Sequence, residues 1–382
     1  DTTAADDTLG PAAGEVVVDV QTHFLDPDTA GFGGGFPQAS CGDDAGLCFT
    51  IDRWADLVLN SSDTSVAVLS ALPIVADDHP MSIAKMEEAR RLAQALCGDG
   101  RVLLQGEAFP QVGELGDTLD RMAALAAEHQ LVAWKTYVHT GGGYSFLDDR
   151  GAAFLGQVEA LAASGDGPSV VAVHLGLGAD PRDLGPAAAA HPDVRFLAYH
   201  SGFESGEPEG AFAEDGGGVD RLVRSLRDAG IGPRTNVYCE LGSTWKLVLT
   251  DPDAAAHVLG KVLLAVGPDR LLWGTDSIWY GSPQDQIDAF RAFEITAEFQ
   301  ERFGYPALTP ALKQRVLGGN AADLHGLDLS TVAAPCRFTP EERQGAREEA
   351  LGRLGPLADT NLGFTTARSS RRAFLLDHPW FR

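Results

Sequence analysis

The sequence predicts an α/β protein folded as a (β/α)8 TIM barrel with a C-terminal helical extension. Eight short apolar runs recur along the chain, and Ala- and Leu-rich helical patterns separate them. Most of these runs are continuously apolar, as expected for strands that are covered on both faces. An alternation of strand and helix repeated eight times favours a closed parallel barrel. An open, doubly wound sheet is the second choice, because a single sequence does not reveal closure.

Each predicted strand rests on one of the apolar runs. The helix prediction is clearest in "MSIAKMEEARRLAQALCGDG", where Gly98 and Gly100 directly follow the periodic part. A second helix is predicted in "GDTLDRMAALAAEHQ", and "LTPALKQRVLGGNAADLHGL" (308–327) predicts the helix that closes the barrel. The predicted strands cover residues 15–20, 65–72, 101–106, 131–138, 169–175, 194–200, 236–241 and 270–276.

Three regions follow from this pattern. Residues 1–14 form a polar, flexible tail, residues 15–327 form the barrel, and residues 328–382 form an extension. Within the extension, Thr339, Pro340 and Glu342 predict the start of a helix, with a capping side chain followed by proline. We expect this extension to pack on the outside of the barrel or on a neighbouring subunit.

The charge balance restricts the class of partner. With 29 Lys and Arg against 54 Asp and Glu, the net charge is -25, which disfavours nucleic acid and anionic membranes as partners. No apolar run approaches the roughly 20 residues that a membrane span needs. A small-molecule substrate is expected, and the charge is equally compatible with a homo-oligomer or a subunit of a hetero-complex.

The cysteines and the N-terminal residues are informative about the cellular compartment of the protein. The five cysteines show no CxxC spacing, so neither a zinc ribbon nor a dense disulfide framework is indicated. Cys41 and Cys48 bracket a Gly-rich loop and form either a local bridge or two free thiols. The chain begins "DTTAADD" without a signal segment. We predict a cytoplasmic protein, with export of a processed chain as the open alternative.

The residues that could carry chemistry cluster at the predicted strand ends. In a parallel barrel the C-terminal strand ends converge on one site. Three histidines combined with carboxylates at such a place are the ligands expected for a divalent transition metal. Residues two apart share one face of a strand, which groups the first three of the candidates. The candidates are Asp19, Gln21, His23, Lys135, His174, His200, Glu240 and Asp276.

Each candidate also has an ordinary structural interpretation. A single strand-end histidine is usually a hydrogen-bonded structural residue, and Asp276 could merely cap the next helix. A buried Lys135 requires compensation, and an ion pair with Glu240 or Asp19 is as consistent with its position as a catalytic role. The coincidence of three histidines at strand ends favours the functional interpretation. Trp279 is interpreted either as a pocket-lining residue or as loop packing.

Five motifs carry a resemblance to a known family. "DVQTHF", "VHLGLG", "YHSGFE", "LLWGTDS" and "GGNAADLHGL" resemble the amidohydrolase-related barrels that include aminocarboxymuconate-semialdehyde decarboxylase, across residues 15–327. The resemblance implies one divalent metal held by His23, His174 and Asp276. It also implies that His200 acts in acid/base chemistry. Gln21 stands where the family has the first histidine of an H-x-H pair.

This departure leaves three outcomes open. Gln21 ligates through its carbonyl oxygen, a weaker and harder ligand than imidazole, and favours iron or manganese over zinc. Alternatively, a second metal is recruited by Asp19, His200 and Glu240, or by a carboxylated Lys135. In the third outcome, the metal is lost and only the scaffold is kept.

The expected activity follows from the resemblance and the residues together. We expect hydrolysis or decarboxylation of a small organic acid, ester, amide or lactone, with one or two zinc, manganese or iron ions as cofactor. His200 and Asp276 are the predicted catalytic residues, and Lys135, Glu240 and Trp279 are predicted to bind the substrate. The alternatives are a dinuclear iron or manganese oxygenase and a non-catalytic binding barrel.

Overall fold

The computed structural model describes residues 14–26, 49–74 and 79–332. Its eight strands form one sheet in sequential order, and every neighbouring pair is parallel. This topology confirms the predicted α/β barrel. The strands are β1 (Val17–Thr22), β2 (Thr64–Leu69), β3 (Val102–Glu107), β4 (Leu131–Tyr137), β5 (Val170–His174), β6 (Arg195–Tyr199), β7 (Val237–Glu240) and β8 (Leu271–Leu272).

The last strand meets the first and brings the sheet round on itself. Val20 donates its backbone N–H to the carbonyl oxygen of Trp273 at 3.1 Å, and Asp276 donates to that of Gln21 at 3.0 Å. Thr22 and Ser277 form a parallel bridge just beyond β8. Because these contacts lie past the two-residue β8, the end of β1 is joined to the segment that carries Asp276.

Helices alternate with the strands and cover the outside of the sheet. The predicted helix after β2 ends where Gly98 adopts φ 83°, a conformation that suits glycine. The α-helices are α1 (Ile51–Trp54), α2 (Ile83–Cys97), α3 (Leu115–Glu128), α4 (Asp149–Ser164), α5 (Leu184–Ala190), α6 (Val219–Asp228), α7 (Thr244–Val248), α8 (Pro252–Val266), α9 (Gln284–Ala292), α10 (Ala297–Phe303), α11 (Pro310–Gln314) and α12 (Asn320–His325).

The helix that closes the barrel follows the sequence prediction closely. Thr309 accepts a hydrogen bond from the N–H of Leu312, and Pro310 occupies the first helical turn. A π-helical segment, Arg315–Gly319, joins α11 to α12. Gly318 lies in this segment against the carbonyl oxygen of Val16, where a Cβ atom would be only 2.0 Å away. The glycine therefore allows the closing helix to contact β1 directly.

Apolar side chains fill the interior of the barrel. Val18, Val66 and Leu272 point inward, and Leu324 and Val332 pack against the same cluster from the N-terminal end of the strands. No helix among the described residues combines the length and apolar character needed to cross a membrane. The polar tail up to residue 13, the Cys41–Cys48 loop and the helix predicted after Thr339 lie outside the described residues.

Candidate active site

The site begins with His23 and Asp276 on neighbouring strand ends. The His23 Nδ1 atom lies 2.6 Å from the carbonyl oxygen of Ser70, so it carries the proton and donates it there. The opposite ring atom, Nε2, lies 3.0 Å from Asp276 Oδ1. The Nε2 edge of the His23 ring therefore faces the Asp276 carboxylate. Burial opposes ionisation of Asp276, but the hydrogen bond with His23 and the electrostatic influence of His200 and His23 lower the pKa of this carboxyl.

Gln21 holds the same carboxylate. Its Nε2 atom donates to Asp276 Oδ1 at 2.9 Å and lies 3.4 Å from His23 Nε2. The amide oxygen points towards Gly242, where an added Cβ atom would be 2.3 Å away, and this oxygen accepts no hydrogen bond. Gln21 thus presents its donor, rather than its carbonyl oxygen, to the predicted ligands. The orientation of the Gln21 amide is assigned with Nε2 towards Asp276, because a carboxylate oxygen accepts a hydrogen bond and the amide oxygen cannot donate one.

A second pair of side chains is formed by His174 and His200. The His200 Nδ1 atom lies 2.7 Å from the carbonyl oxygen of Gly242, and its Nε2 atom lies 3.0 Å from His174 Nδ1. With the His200 proton on Nδ1, the proton of His174 lies on its own Nδ1. His174 Nε2 is then a buried lone pair without a hydrogen-bond partner. Burial lowers the pKa of His200 to about 4 and that of His174 well below its usual value.

The His23–Asp276 pair and the His174–His200 pair do not together surround a single ion-binding position. Among the residues that the structure describes, no group of three or more His, Cys, Asp or Glu side chains is arranged to hold a metal ion. The donor chemistry nevertheless fits a metal. His23 and His200 each anchor Nδ1 on a backbone carbonyl, the arrangement that commonly fixes the tautomer of a metal-ligating histidine. The bare His174 Nε2 atom supplies a further imidazole donor.

The predicted substrate-binding residue Lys135 is completely buried on β4. Its Nζ atom has no hydrogen-bond partner and lies 3.6 Å from the ring centroid of Tyr199 and 4.6 Å from that of Tyr137. The ion pair with Glu240 or Asp19 considered from the sequence is therefore not formed. Burial lowers the pKa of Lys135 to about 7, and the negative charges of Asp276 and Glu240 partly offset this effect.

Glu240 and Asp19 use their carboxylates to hold backbone. Glu240 accepts hydrogen bonds from the N–H groups of His200 and Gly242. Asp19 accepts from the N–H groups of Gln21 and Thr275 and from the Thr275 hydroxyl. Burial raises the pKa of Glu240 to about 8 and that of Asp19 to about 7. Both carboxyls lie close to the site, but their oxygens are engaged by these donors.

Backbone strain concentrates at the same strand ends. His200, Ser243 and Asp276 have φ angles of 64°, 54° and 58°, in the left-handed region that non-glycine residues rarely adopt. Such conformations cost on the order of 1–3 kcal/mol each and cluster at functional sites. The three strained residues follow β6, β7 and β8, and the Ser243 hydroxyl donates to Asp276 Oδ2.

The loop after β8 and the residue Ser243 add further contacts to Asp276. Trp279, which the sequence predicted to bind the substrate, donates Nε1 to Asp276 Oδ1 at 3.2 Å. Ser243, which was not singled out from the sequence, hydrogen-bonds both Asp276 and the Tyr280 hydroxyl. Trp279 also stacks on His23 with ring centroids 5.6 Å apart. Ser243 carries no local sequence signal, because its role arises from a contact with a residue 33 positions away. Tyr137 and Tyr199 were also not singled out, because within apolar strands their sequence pattern is that of ordinary core aromatic residues.

Comparison with known proteins places the chain in a family. The family model described as Amidohydrolase, of the amidohydrolase-2 type, matches residues 18–327. The chain belongs to this amidohydrolase family. The resemblance inferred from the five motifs is thus confirmed, and the family includes hydrolases and decarboxylases. Among curated proteins, no sequence matches this amidohydrolase-family chain.

Solved structures similar to the amidohydrolase-family chain share little sequence with it. A candidate 2-pyrone-4,6-dicarboxylic acid hydrolase of Pseudomonas putida is 17% identical, covers 82% of this chain and 99% of its own, and has a TM-score of 0.49. The IDCase of Metarhizium anisopliae is 17% identical with coverages of 83% and 98% and a TM-score of 0.47. An amidohydrolase 2 from Bifidobacterium longum subsp. infantis is 16% identical, with 82% and 100% coverage and a TM-score of 0.44.

Proposed function

We propose that this chain is a metal-dependent hydrolase or decarboxylase acting on a small organic acid, ester, amide or lactone. The observation that carries the proposal is the His23–Asp276 contact. An imidazole whose Nδ1 is anchored on a backbone carbonyl presents its Nε2 to a carboxylate oxygen at 3.0 Å in a buried setting. Imidazole nitrogen and carboxylate oxygen are ligands that divalent transition metals select, and an anchored Nδ1 is the usual arrangement of a metal-ligating histidine.

The proposed ligands are His23 Nε2, Asp276 Oδ1 and His174 Nε2. The first two lie 3.0 Å apart, and the last is a buried nitrogen without a hydrogen-bond partner. A bound zinc, manganese or iron ion would polarise a substrate carbonyl or carboxylate as a Lewis acid. Gln21 donates to Asp276, so its proposed role is to hold that carboxylate in place. With Asp19 and Glu240 bonded to backbone groups, the contacts favour one ion over two.

His200 is the proposed proton acceptor. Burial keeps it neutral at ordinary pH, because its pKa is lowered to about 4. Its Nδ1 proton is held by the Gly242 carbonyl, so Nε2 is the atom that accepts a proton from water or substrate. In the structure, His174 Nδ1 is hydrogen-bonded to His200 Nε2. Water or substrate must therefore displace His174 before His200 can accept a proton. Lys135 would bind an anionic group of the substrate, since it is a buried amine without a hydrogen-bond partner.

Metal analysis of protein purified without chelator tests the proposal. We expect about one equivalent of zinc or manganese per chain, lost in His23→Ala and Asp276→Asn. The matched control is His191→Ala, because His191 pairs with Glu159 on the outside of the barrel. Two equivalents of iron or manganese would instead support the oxygenase alternative. Absence of metal, with His200→Asn leaving hydrolysis of an ester and lactone panel unchanged, would contradict the proposal.

A further inference from the structure

An apolar groove on the outer face of the barrel lies apart from the candidate active site. It has a volume of about 580 Å³ and is formed by α6, α8, the end of α10 and the loop after β6. Ile231 and Leu264, which line it, come shortly before β7 and β8, so the groove lies towards the N-terminal ends of these strands. His23 and Asp276 follow β1 and β8 at the opposite ends. The groove is therefore a separate feature of the surface.

One wall of the groove is aromatic and firmly held. The rings of Phe303 and Tyr305 are stacked with centroids 5.4 Å apart. The Tyr305 hydroxyl lies 2.9 Å from Nδ1 of His257, and the Tyr305 ring packs so closely on Gly260 that an added Cβ atom would clash with it. Because these contacts fix the wall without a ligand, the groove is preformed, as small-molecule sites usually are.

Two exposed apolar side chains also line the groove. Phe212 is 37% exposed and Leu264 is 48% exposed. They are two of only four large apolar side chains that are exposed in the part of the chain that the structure describes. A stable protein interface buries about 800 Å² on each partner, and two side chains fall well short of that area. The net charge of -25 further opposes self-association. A small molecule therefore fits the groove better than a second copy of the chain.

The charged groups of the groove disfavour a charged ligand. Lys261 is buried, with its Nζ atom 2.6 Å from Glu209 Oε2 and 2.7 Å from Asp220 Oδ1. Arg227, the other cation that lines the groove, is likewise paired with two carboxylates. Each cation faces two negative charges, so no positive charge remains for an anion. The two carboxylates beside Lys261 are themselves almost fully buried, which keeps them from a cationic ligand.

Lys261 nevertheless offers the groove a hydrogen-bond donor. An ammonium group carries three N–H bonds, and Glu209 and Asp220 accept two of them. The third remains for an acceptor in the cavity that Lys261 lines. A carbonyl or hydroxyl oxygen satisfies this donor without adding charge. The groove thus combines an apolar surface with one polar group that can orient a ligand.

We propose that this groove binds an uncharged apolar molecule that carries one carbonyl or hydroxyl oxygen. The apolar body of the ligand contacts Phe212, Leu264 and Tyr305, and its oxygen accepts a hydrogen bond from Lys261. This binding is independent of the metal chemistry proposed above, because the residues that line the groove are not those of the candidate active site.

Fluorescence titration of the full-length protein with Nile red, an uncharged dye with a ring carbonyl, tests the groove. We expect saturable, blue-shifted binding of one dye per chain. Leu264→Glu should weaken it by about tenfold or more, because the variant introduces a charge among apolar groups. Leu147→Glu is the matched control, since Leu147 is 55% exposed and does not line the groove. Equal binding by the two variants, or no saturable binding to wild type, would overturn the proposal.

Competition against the bound dye tests the ligand class. Octanol should displace Nile red, whereas octanoate, with the same chain length and a negative charge, should require an about tenfold higher concentration. Equal or stronger displacement by octanoate would overturn the assignment of an uncharged ligand. Sedimentation of the same samples examines the second copy as an occupant. A wild-type dimer that Leu264→Glu converts to monomers would identify the groove as a contact between copies and contradict the proposal.

Discussion

Gln21 is the residue at which this chain departs most clearly from its family. The side chain donates to Asp276 and leaves its own oxygen beside Gly242. It therefore acts as a hydrogen-bond donor to the predicted carboxylate ligand, a role that an unprotonated imidazole nitrogen cannot perform. The substitution changes which atom faces the centre of the site, although the backbone position is the one expected for the H-x-H pair.

Gln21→His should raise zinc affinity roughly tenfold or more, because it replaces an amide donor by an imidazole ligand. Competition with a chromophoric chelator measures the change. Gln21→Met, which has a similar volume and no donor, is the matched control and should weaken binding by releasing Asp276. Equal zinc affinity in wild type and Gln21→His would show that this position does not face the metal.

Lys135 should make stability depend on pH in a defined window. Its pKa is about 7 in the folded protein against 10.5 for an ordinary lysine, so between these values the unfolded chain binds the additional proton. The free energy of unfolding therefore rises with pH through this window. The contribution of Lys135 is lost as the pH falls towards 7. From pH 7.5 to 9.5, the unfolding free energy of wild type should rise relative to Lys135→Met by roughly 2 kcal/mol.

Denaturant titrations across that range measure this difference. Lys246→Met, which alters a partly exposed lysine paired with Asp285, should remain parallel to wild type. If the Lys135→Met and wild-type curves are parallel instead, Lys135 keeps its proton in the folded protein.

At the scale of elements, the closing helix is held against β1 by close backbone contact. The carbonyl oxygen of Val16 lies where a Cβ atom on Gly318 would be, and backbone on both sides leaves little freedom to move. This contact connects the π-helical segment Arg315–Gly319 to β1, the strand that carries Gln21 and directly precedes His23. The integrity of the site therefore depends on an element that supplies none of its side chains.

Gly318→Ala should destabilise the protein by about 1–3 kcal/mol, the usual cost of overpacking. Gly156→Ala is the matched control, since Gly156 lies in α4 with nothing within 4 Å of its added Cβ atom. The control should be neutral or stabilising by up to about 1 kcal/mol through helix propensity. Chemical denaturation measures both, and equal stabilities of the two variants would exclude a rigid contact at Gly318.

At the scale of the whole molecule, the net charge of -25 makes the chain repel itself. Raising sodium chloride from 0.1 M to 1 M shortens the Debye length from about 10 Å to about 3 Å. Screening should therefore raise the melting temperature by a few degrees. Calorimetry at matched osmolality with sucrose separates screening from solute exclusion, and a lower melting temperature in salt would show that attractive ion pairs dominate instead.

The sequence by itself determined the architecture and showed which candidate site residues stand at strand ends. All eight predicted strands start within two residues of the observed ones, because buried parallel strands are continuous apolar runs. The last strand, β8, is much shorter than predicted and pairs over only two residues, since Trp273 donates its N–H to the carbonyl oxygen of Val316. His23, His174, His200 and Asp276 were recognised as strand-end groups for the same local reason.

Only the tertiary structure decided which atoms meet. Gln21 and Asp276 are 255 positions apart, and no local pattern indicates that the amide nitrogen rather than the oxygen faces the carboxylate. The engagement of Glu240 by backbone N–H groups and the placement of Lys135 over Tyr199 depend equally on strand register. Hydrophobic periodicity specifies elements, whereas hydrogen bonds between strand ends are fixed only when the barrel closes and brings those ends together.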